Sequence, residues 1–457
     1  MGGADHNRPS GGVAVHSGSA ITDARIAAAD ICADLRSGEL LDASFDRRTA
    51  RLDARDRRWV RELVYGMLRR RALIDHMLDE RIRGGAVRLD ADLLDLLRLG
   101  AAQLLHMGSV PAYAAIAQTV ELAKQRHGIG ASKLANAVLR RLDRERGQLQ
   151  TPARETGLPA DALALEGSHP RWLVARWVDR FGLDATRALL DANNREAPLV
   201  ARPVHIVREQ LEAMLESVGV RVEDAPLVRD SIVLASSVSS LTDLGAFRQG
   251  LFHLQDPAST LVTQYACVPT GAVVADLCAA PGGKAIELAR SAARVFASDL
   301  SPARLRRVIE NDTRLEMTSI VPYVADARAP AIRPVDVVLV DAPCTGTGTF
   351  RRHPDARWRL KISDIAVMAA NQRAILRAAA SAVRPGGLLV YSTCSLEPEE
   401  NDEQIDFFLN EHPGWRVEAP PEGAVPAAVL DDGRLRVLPH QHGTDGAFAA
   451  RMRRPAA

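Results

Sequence analysis

From Ala272 onward, short apolar runs suited to β-strands alternate with segments of helical spacing, and this alternation restricts the fold more than any other feature of the chain. In order come AVVADLC, KAIELARSA, RVFASD, ARLRRVIEND, SIVPYVAD, VDVVLVDAP, ANQRAILRAAASAV, GGLLVYST and NDEQIDFFLNEH. The pattern predicts an α/β domain built on a parallel, doubly wound sheet. In such a sheet ligands gather outside the carboxyl ends of the strands, so residues just past each apolar run are the candidates for function.

The rest of the chain divides by composition and period. Residues 1–20 are Gly, Ser, His and Asn with little to bury and read as a tail. Residues 21–150 carry helical spacing throughout, in about five amphipathic segments, and predict an all-helical domain. Residues 151–170 contain Pro152, Pro159 and Pro170, show no sustained period and read as a linker. Residues 171–255 mix two helical segments with short strand-like runs, a small α/β unit, and 256–457 form the doubly wound domain. A chain of 457 residues has room for about three domains on a prior of roughly 150 residues each. No internal repeat is present.

Several function classes are excluded or left without support. No apolar run approaches the roughly 20 residues of a membrane span, and the first twenty residues lack a secretory pattern, so a cytoplasmic protein is expected. The five cysteines, at 32, 267, 278, 344 and 394, are scattered, without CxxC or Cys/His spacing, so neither a disulfide framework nor a metal site is expected. Net charge is +1, yet residues 1–150 hold 24 basic against 19 acidic side chains. Arginine outnumbers lysine 54 to 4, which suits bidentate phosphate contacts but would equally follow from genomic composition. A monomer is expected.

In VVADLCAAPGGKAIELA a strand enters a glycine-rich turn and then a helix, an arrangement that points backbone amides at a ligand. A phosphate-binding P-loop requires GxxxxGK followed by Ser or Thr, and here Cys278 and Ala285 occupy the two ends. A dinucleotide fold requires GxGxxG, which APGGKA does not supply. A nucleoside ligand without a pyrophosphate remains. Asp299 closes the second strand, where an acid can bond ribose hydroxyls, and Asp326 and Asp341 close the next two. Each acid could instead cap the helix that follows.

Two cysteines stand just past strands, Cys344 in VDAPCTGTG and Cys394 in VYSTCS. A thiolate at such a place is a strong nucleophile, although free cysteine is also a common apolar filler. Facing one crevice, the pair suggests covalent chemistry on an electron-poor carbon.

Together ADLCAAPGGKA, ASDLSPARL, VLVDAPCTGTGTFRRHPDARWR and GGLLVYSTCSLEPEEND resemble the RNA cytosine-5 methyltransferases over about residues 250–455. RRWVRELVYGMLR, VPAYAAIAQTVELAK and KLANAVLRRL in the helical part resemble the NusB-type RNA-binding domain. The combination resembles the family of bacterial small-subunit (16S) ribosomal RNA methyltransferases of type B, with Tyr113 a departure where that family carries His. The resemblance implies a Rossmann-like fold, S-adenosyl-L-methionine as cofactor and ribosomal RNA as partner. It implies further that Cys278, Ala279, Ala280, Pro281, Gly282, Gly283 and Lys284 line the cofactor, that Asp299 holds its ribose and that Asp326 holds its adenine amine. Asp341 is expected between cofactor and base as an acid toward ring nitrogen 3, with Cys394 the nucleophile and Cys344 the helper in product release. Lys284 is a candidate for lowering the thiol pKa, or a plain surface lysine, and Arg351, Arg352 and His353 are candidates for RNA phosphate. The rival readings are the same chemistry on another RNA (transfer RNA or 23S ribosomal RNA), a dinucleotide oxidoreductase on the same fold, a non-catalytic RNA-binding assembly factor, and a DNA-type enzyme in which Cys344 attacks.

Overall fold

The computed structural model describes residues 21–148, 159–235 and 240–456. The expected tail over 1–20 and the first part of the expected linker, 151–158, lie outside the described residues. Two compact units result, Met1–Gln150 and Thr151–Ala457.

The described part of the first unit is helical: α1 (Asp23–Arg36), α2 (Leu41–Thr49), α3 (Ala54–Arg69), α4 (Arg71–Asp79), α5 (Ala91–His106) and α6 (Ala112–Glu145). Helix α2 has no counterpart in the sequence reading, because nine residues give too few repeats to show a period. The long segment read as one helix breaks at Arg70 into α3 and α4. Two expected helices merge into α6 across Gly128, whose φ of 83° marks the kink. Asp53 and Asp90 cap α3 and α5 through backbone amides. Leu63, Leu97 and Leu139 are fully buried, each contributing about 1.5–3 kcal/mol.

The second unit opens with α7 (Pro159–Glu166), α8 (Arg171–Phe181) and α9 (Leu183–Asn194). The linker reading over 151–170 therefore fails in its second half: Leu163 and Ala164 of α7 join a core with Leu173, Trp177, Phe350 and Leu396. Next comes a four-stranded antiparallel sheet, β1 (Leu199–Pro203), β2 (Val222–Asp224), β3 (Ile232–Leu234) and β4 (Phe252–Leu254), in the order β2-β3-β1-β4. It carries α10 (Arg208–Ser217) and α11 (Gly245–Arg248).

Helix α12 (Pro257–Ala266) leads into the large sheet. There β5 (Val273–Asp276), α13 (Gly283–Ala289), β6 (Arg294–Asp299), α14 (Pro302–Arg314), β7 (Ile320–Val324), β8 (Val335–Asp341), α15 (Ala356–Arg359), α16 (Ile362–Ala382) and β9 (Val383–Thr393) alternate as predicted. After α17 (Asp402–Glu411) come β10 (Arg416–Val417), β11 (Leu430–Asp431), β12 (Arg434–Val437), α18 (Pro439–His442) and β13 (Ala447–Arg453). Strand order is β11-β12-β13-β9-β8-β5-β6-β7, and β9 through β7 are parallel. Strand β13 runs antiparallel to β9, an extension absent from the sequence reading. Alternate residues of β8 serve opposite cores: Val337 and Leu339 face one cluster, Val338 and Val340 the other. Both faces are thus covered, and strand order reverses between β5 and β8, with β6 and β7 added on one side and β8 and β9 on the other, so that a crevice opens at the strand ends.

Candidate active site

Strand β5 delivers Asp276 to that crevice, and the chain then turns through Leu277–Gly282 into α13. The turn is narrow: Gly282 has φ 109°, and a Cβ on Gly283 would stand 3.2 Å from Gln255 Nε2. A cleft of about 340 Å³ opens here. Cys278, Ala279, Ala280, Pro281, Gly283 and Lys284 form one wall, with Asp276 and Asp341 at the strand ends. Val200, Gln255, Asp256, Arg352, His353 and Asp445 form the other. Six of the seven expected cofactor-loop residues therefore line one space, the seventh, Gly282, shaping the turn.

Asp276 is fully buried, and neither carboxylate oxygen has a hydrogen bond of ordinary geometry among the described residues. Burial first, and the Asp341 charge second, push its pKa up to about 7, with Lys284 and the Cys278 amide opposing. A buried carboxylate without a partner costs several kcal/mol unless it is neutralised or meets a cation, so this floor is suited to a cationic ligand.

Lys284 is no surface lysine. Its Nζ donates to Asp341 Oδ2 at 2.8 Å, and Ser392 Oγ donates to Asp341 Oδ1 at 2.8 Å. Burial pulls the Lys284 pKa down, but the charge and hydrogen bond of Asp341 and the nearby Cys394 outweigh it, and the net direction is upward. Both Asp341 oxygens thus accept hydrogen bonds, and Lys284 is a proton-bearing group beside the residue expected to face ring nitrogen 3.

Cys344 and Cys394 are brought together, Sγ to Sγ 3.3 Å, both half-buried. They do not line the cleft themselves, whereas Lys284 and Asp341 do, with Lys284 feeling the Cys394 charge. The Cys344 thiol is pushed well up, first by its contact with Cys394, then by burial and by Glu400. Glu400, fully buried, accepts from Thr345 N at 2.9 Å, Gln372 Nε2 at 2.9 Å, Ser395 Oγ at 2.5 Å and Thr345 Oγ1. It thus joins the loop after β8 to the loop after β9.

Asp299 and Asp326 do not line the cleft. Asp299 is buried at the tip of β6, accepts from Ser301 N at 2.9 Å and lies 3.5 Å from an Arg304 nitrogen. Asp326, past β7, is forked by Arg328 through contacts of 2.7–3.1 Å. Arg351 and Arg352 are not free for RNA phosphate. Both bond Asp256 and Asp445 at 2.5–2.7 Å, a compensated buried quartet, while His353 is exposed at the cleft rim.

Three groups escaped the sequence reading. Asp276 closes a strand just as Asp299 does, so its signal was present in VVAD. Glu400 sits in EPEEND, where nothing distinguishes a buried carboxylate from its solvated neighbours. The Asp256–Asp445 pair is joined only by folding, 189 positions apart.

Residues 268–453 match the model of the 16S rRNA methyltransferase RsmB/F family, residues 22–144 that of the NusB family, and residues 169–240 the ferredoxin-like domain of RsmF/B-like methyltransferases. A probable ribosomal RNA small subunit methyltransferase B of Bacillus subtilis (strain 168) is 35% identical over 415 residues, covering 88% of this chain and 92% of that protein. A Vibrio cholerae ribosomal RNA small subunit methyltransferase B is 33% identical, covering 87% and 89%. A crystal structure titled PH0851 superposes with TM-score 0.78 at 26% identity, covering 95% of this chain and all of that one. Fold and relatives together define an RNA methyltransferase of the Rossmann-like class. With relatives of this identity and coverage, the chain belongs to the 16S rRNA methyltransferase RsmB/F family.

Proposed function

We propose that the protein methylates carbon 5 of a cytosine in small-subunit ribosomal RNA, in the cytoplasm, through a transient bond from Cys394 to the base. The observation that carries this reading is the thiol pair held 3.3 Å apart, with Cys394 near Lys284, which together with Asp341 lines a cleft that also holds the buried carboxylate of Asp276.

S-adenosyl-L-methionine, when bound, supplies an electrophilic methyl group on a sulfonium. The residues fit it: Asp276 can receive the ammonium, the Cys278–Lys284 turn can cradle the methionine, and Asp299 offers an oxygen toward a ribose. Asp326 is the acceptor for the adenine amine once its Arg328 fork opens.

Cytosine carbon 5 is a weak nucleophile until sulfur adds at carbon 6. The Cys394 sulfur forms that bond, the ring's π electrons shift toward nitrogen 3, and the Lys284–Asp341 pair supplies the proton that nitrogen 3 takes up. Carbon 5, now enamine-like, takes the methyl group. Cys344 keeps its proton while the Cys394 sulfur is free, because that contact is the first cause of its raised pKa. Once sulfur 394 is bonded to carbon that first cause is removed, and Cys344, having passed its own proton to water, can accept the carbon 5 proton, directly or through water, while nitrogen 3 returns its proton to the Lys284–Asp341 pair. The electron pair of that C–H bond re-forms the ring double bond and expels the Cys394 thiolate. The base must leave its stack to enter, which costs a few kcal/mol and favours a loop in folded RNA.

Bisulfite sequencing of small-subunit ribosomal RNA incubated with the protein and cofactor should show one protected cytosine. Label on another base, or on another atom of cytosine, sinks the reading. Cys394→Ala should abolish transfer, whereas Cys344→Ala should leave a protein–RNA adduct that survives denaturing electrophoresis. An adduct trapped on Cys394→Ala instead would reassign the nucleophile to Cys344.

A further inference from the structure

We propose that Gln255 is a cofactor-binding residue: its Nε2 donates a hydrogen bond to the carboxylate of the methionine moiety and so selects a ligand with an intact α-amino-acid end. The inference rests on the S-adenosyl-L-methionine reading above and extends it to a residue outside the glycine turn.

Gln255 directly follows β4 and precedes Asp256, the N-cap of α12. Its backbone amide donates to the Val200 carbonyl of β1 at 3.0 Å, so the small antiparallel sheet sets its position. The residue is only 8% exposed, and its carboxamide is oriented: Oε1 accepts from the hydroxyl of Thr260, a fully buried residue of α12, at 3.0 Å. With Oε1 held there, Nε2 is turned to the glycine turn, where a Cβ on Gly283 would stand 3.2 Å from it. Nε2 has no hydrogen-bond partner among the described residues, and Gln255 lines the cleft. A donor left unmade inside a protein is unfavourable, so this one is suited to an acceptor that enters the cleft.

The rest of the lining says which acceptor. Asp256, Asp276, Asp341 and Asp445 line the same cleft. Lys284 is bonded to Asp341, and Arg352 to Asp256 and Asp445, so the lysine and arginine of the lining are already engaged. Neither oxygen of Asp276 has a hydrogen bond of ordinary geometry among the described residues. An α-amino acid carries an ammonium and a carboxylate on one carbon. The ammonium is the partner that Asp276 lacks, and the carboxylate is the partner that Gln255 Nε2 lacks. An amide donor to a carboxylate makes a charge-assisted bond, stronger than one between neutral groups. By this bond the small sheet, through Gln255, takes part in holding the cofactor.

The test is calorimetric titration of the full chain, without RNA, with two ligands. One is S-adenosyl-L-methionine; the other is its decarboxylated form, which keeps nucleoside, sulfonium and amine and lacks only the carboxylate. The wild type should bind the first at least about tenfold more tightly. Gln255→Leu, which removes the donor at similar volume, should weaken S-adenosyl-L-methionine about tenfold and leave the decarboxylated ligand within about twofold. Gln255→Glu keeps an acceptor for Thr260 and sets a negative charge against the carboxylate. It should weaken S-adenosyl-L-methionine further, while the decarboxylated ligand binds no more weakly than to the wild type. Equal losses for the two ligands in a folded Gln255→Leu protein, or an unchanged affinity for S-adenosyl-L-methionine, overturn the proposal. If that variant does not fold, Gln255→Glu decides by the same comparison, and a wild type that binds the two ligands equally overturns the proposal without any variant. A wild type that binds neither ligand overturns the cofactor reading and this inference with it, so the two failures are told apart.

Discussion

Asp276 shows how one residue can carry a ligand preference and a titration at once. Its pKa of about 7 means that the cofactor-free protein holds a proton there below neutrality. A cationic ammonium replaces that proton, so binding of S-adenosyl-L-methionine should release one proton per ligand below about pH 7, and affinity should fall up to tenfold per pH unit there. Calorimetry in two buffers of different ionisation enthalpy measures the release. Asp276→Asn should abolish both the release and the pH slope, and a slope that persists in the variant would remove Asp276 from the ligand. The sign for folding is the reverse of the usual carboxylate: a raised folded pKa stabilises at low pH and loses that contribution as pH rises through about 7.

Among the elements, α7, which lies in the expected linker, shares one core with α8 and α9 of the small α/β unit. Helix α8 holds the loop beyond Cys394: Trp177 Nε1 donates to Glu397 at 3.1 Å, Arg176 bonds Glu397 and Glu399, and Arg180 bonds the Leu396 carbonyl. Trp177 is almost wholly buried against Phe350, which follows the Cys344 loop. Trp177→Phe keeps the bulk and removes the donor, leaving a buried Glu397 oxygen without it. The expected cost is about 1–3 kcal/mol, read as a lower urea midpoint, together with slower methyl transfer as the Cys394 loop loosens. An unchanged midpoint would show that Arg176 alone satisfies Glu397.

At the scale of the molecule, the small antiparallel sheet is tied to the catalytic sheet by buried charge. Arg202 of β1 and His253 of β4 both reach Glu287 of α13, the helix behind the glycine turn, at 3.1–3.2 Å. Burial pushes the Glu287 pKa up, but His253, Arg202 and Arg290 outweigh it and the net direction is downward. A depressed folded pKa stabilises above the unfolded value, about 4.3, and that stability is lost as pH falls through the folded value. Glu287→Gln should therefore be less stable than the wild type at neutral pH, and the difference should shrink below about pH 4. Urea unfolding at the two pH values measures it, and a gap independent of pH would rule out the ion pair as its source.

The alternating periods after Ala272 were enough to determine the parallel sheet, because strand and helix spacings are local properties. The same rule placed Cys344, Asp341, Cys394 and the 278–284 turn at strand ends, and it reached Asp276 had it been applied to the first strand. Local patterns could not show α2 or α7, too short for a period, nor the antiparallel strands beyond α17. Lys284 stayed open between a cation beside the thiol and a surface lysine, and Arg351 and Arg352 between phosphate ligands and a solvated loop, because a charged side chain's partner is chosen by tertiary distance. Sequence alone determined which strands form and which residues stand at their tips. Only the fold decided which charges meet, because Lys284 and Asp341, or Glu400 and Thr345, are brought within hydrogen-bond reach by packing across 57 and 55 positions of chain.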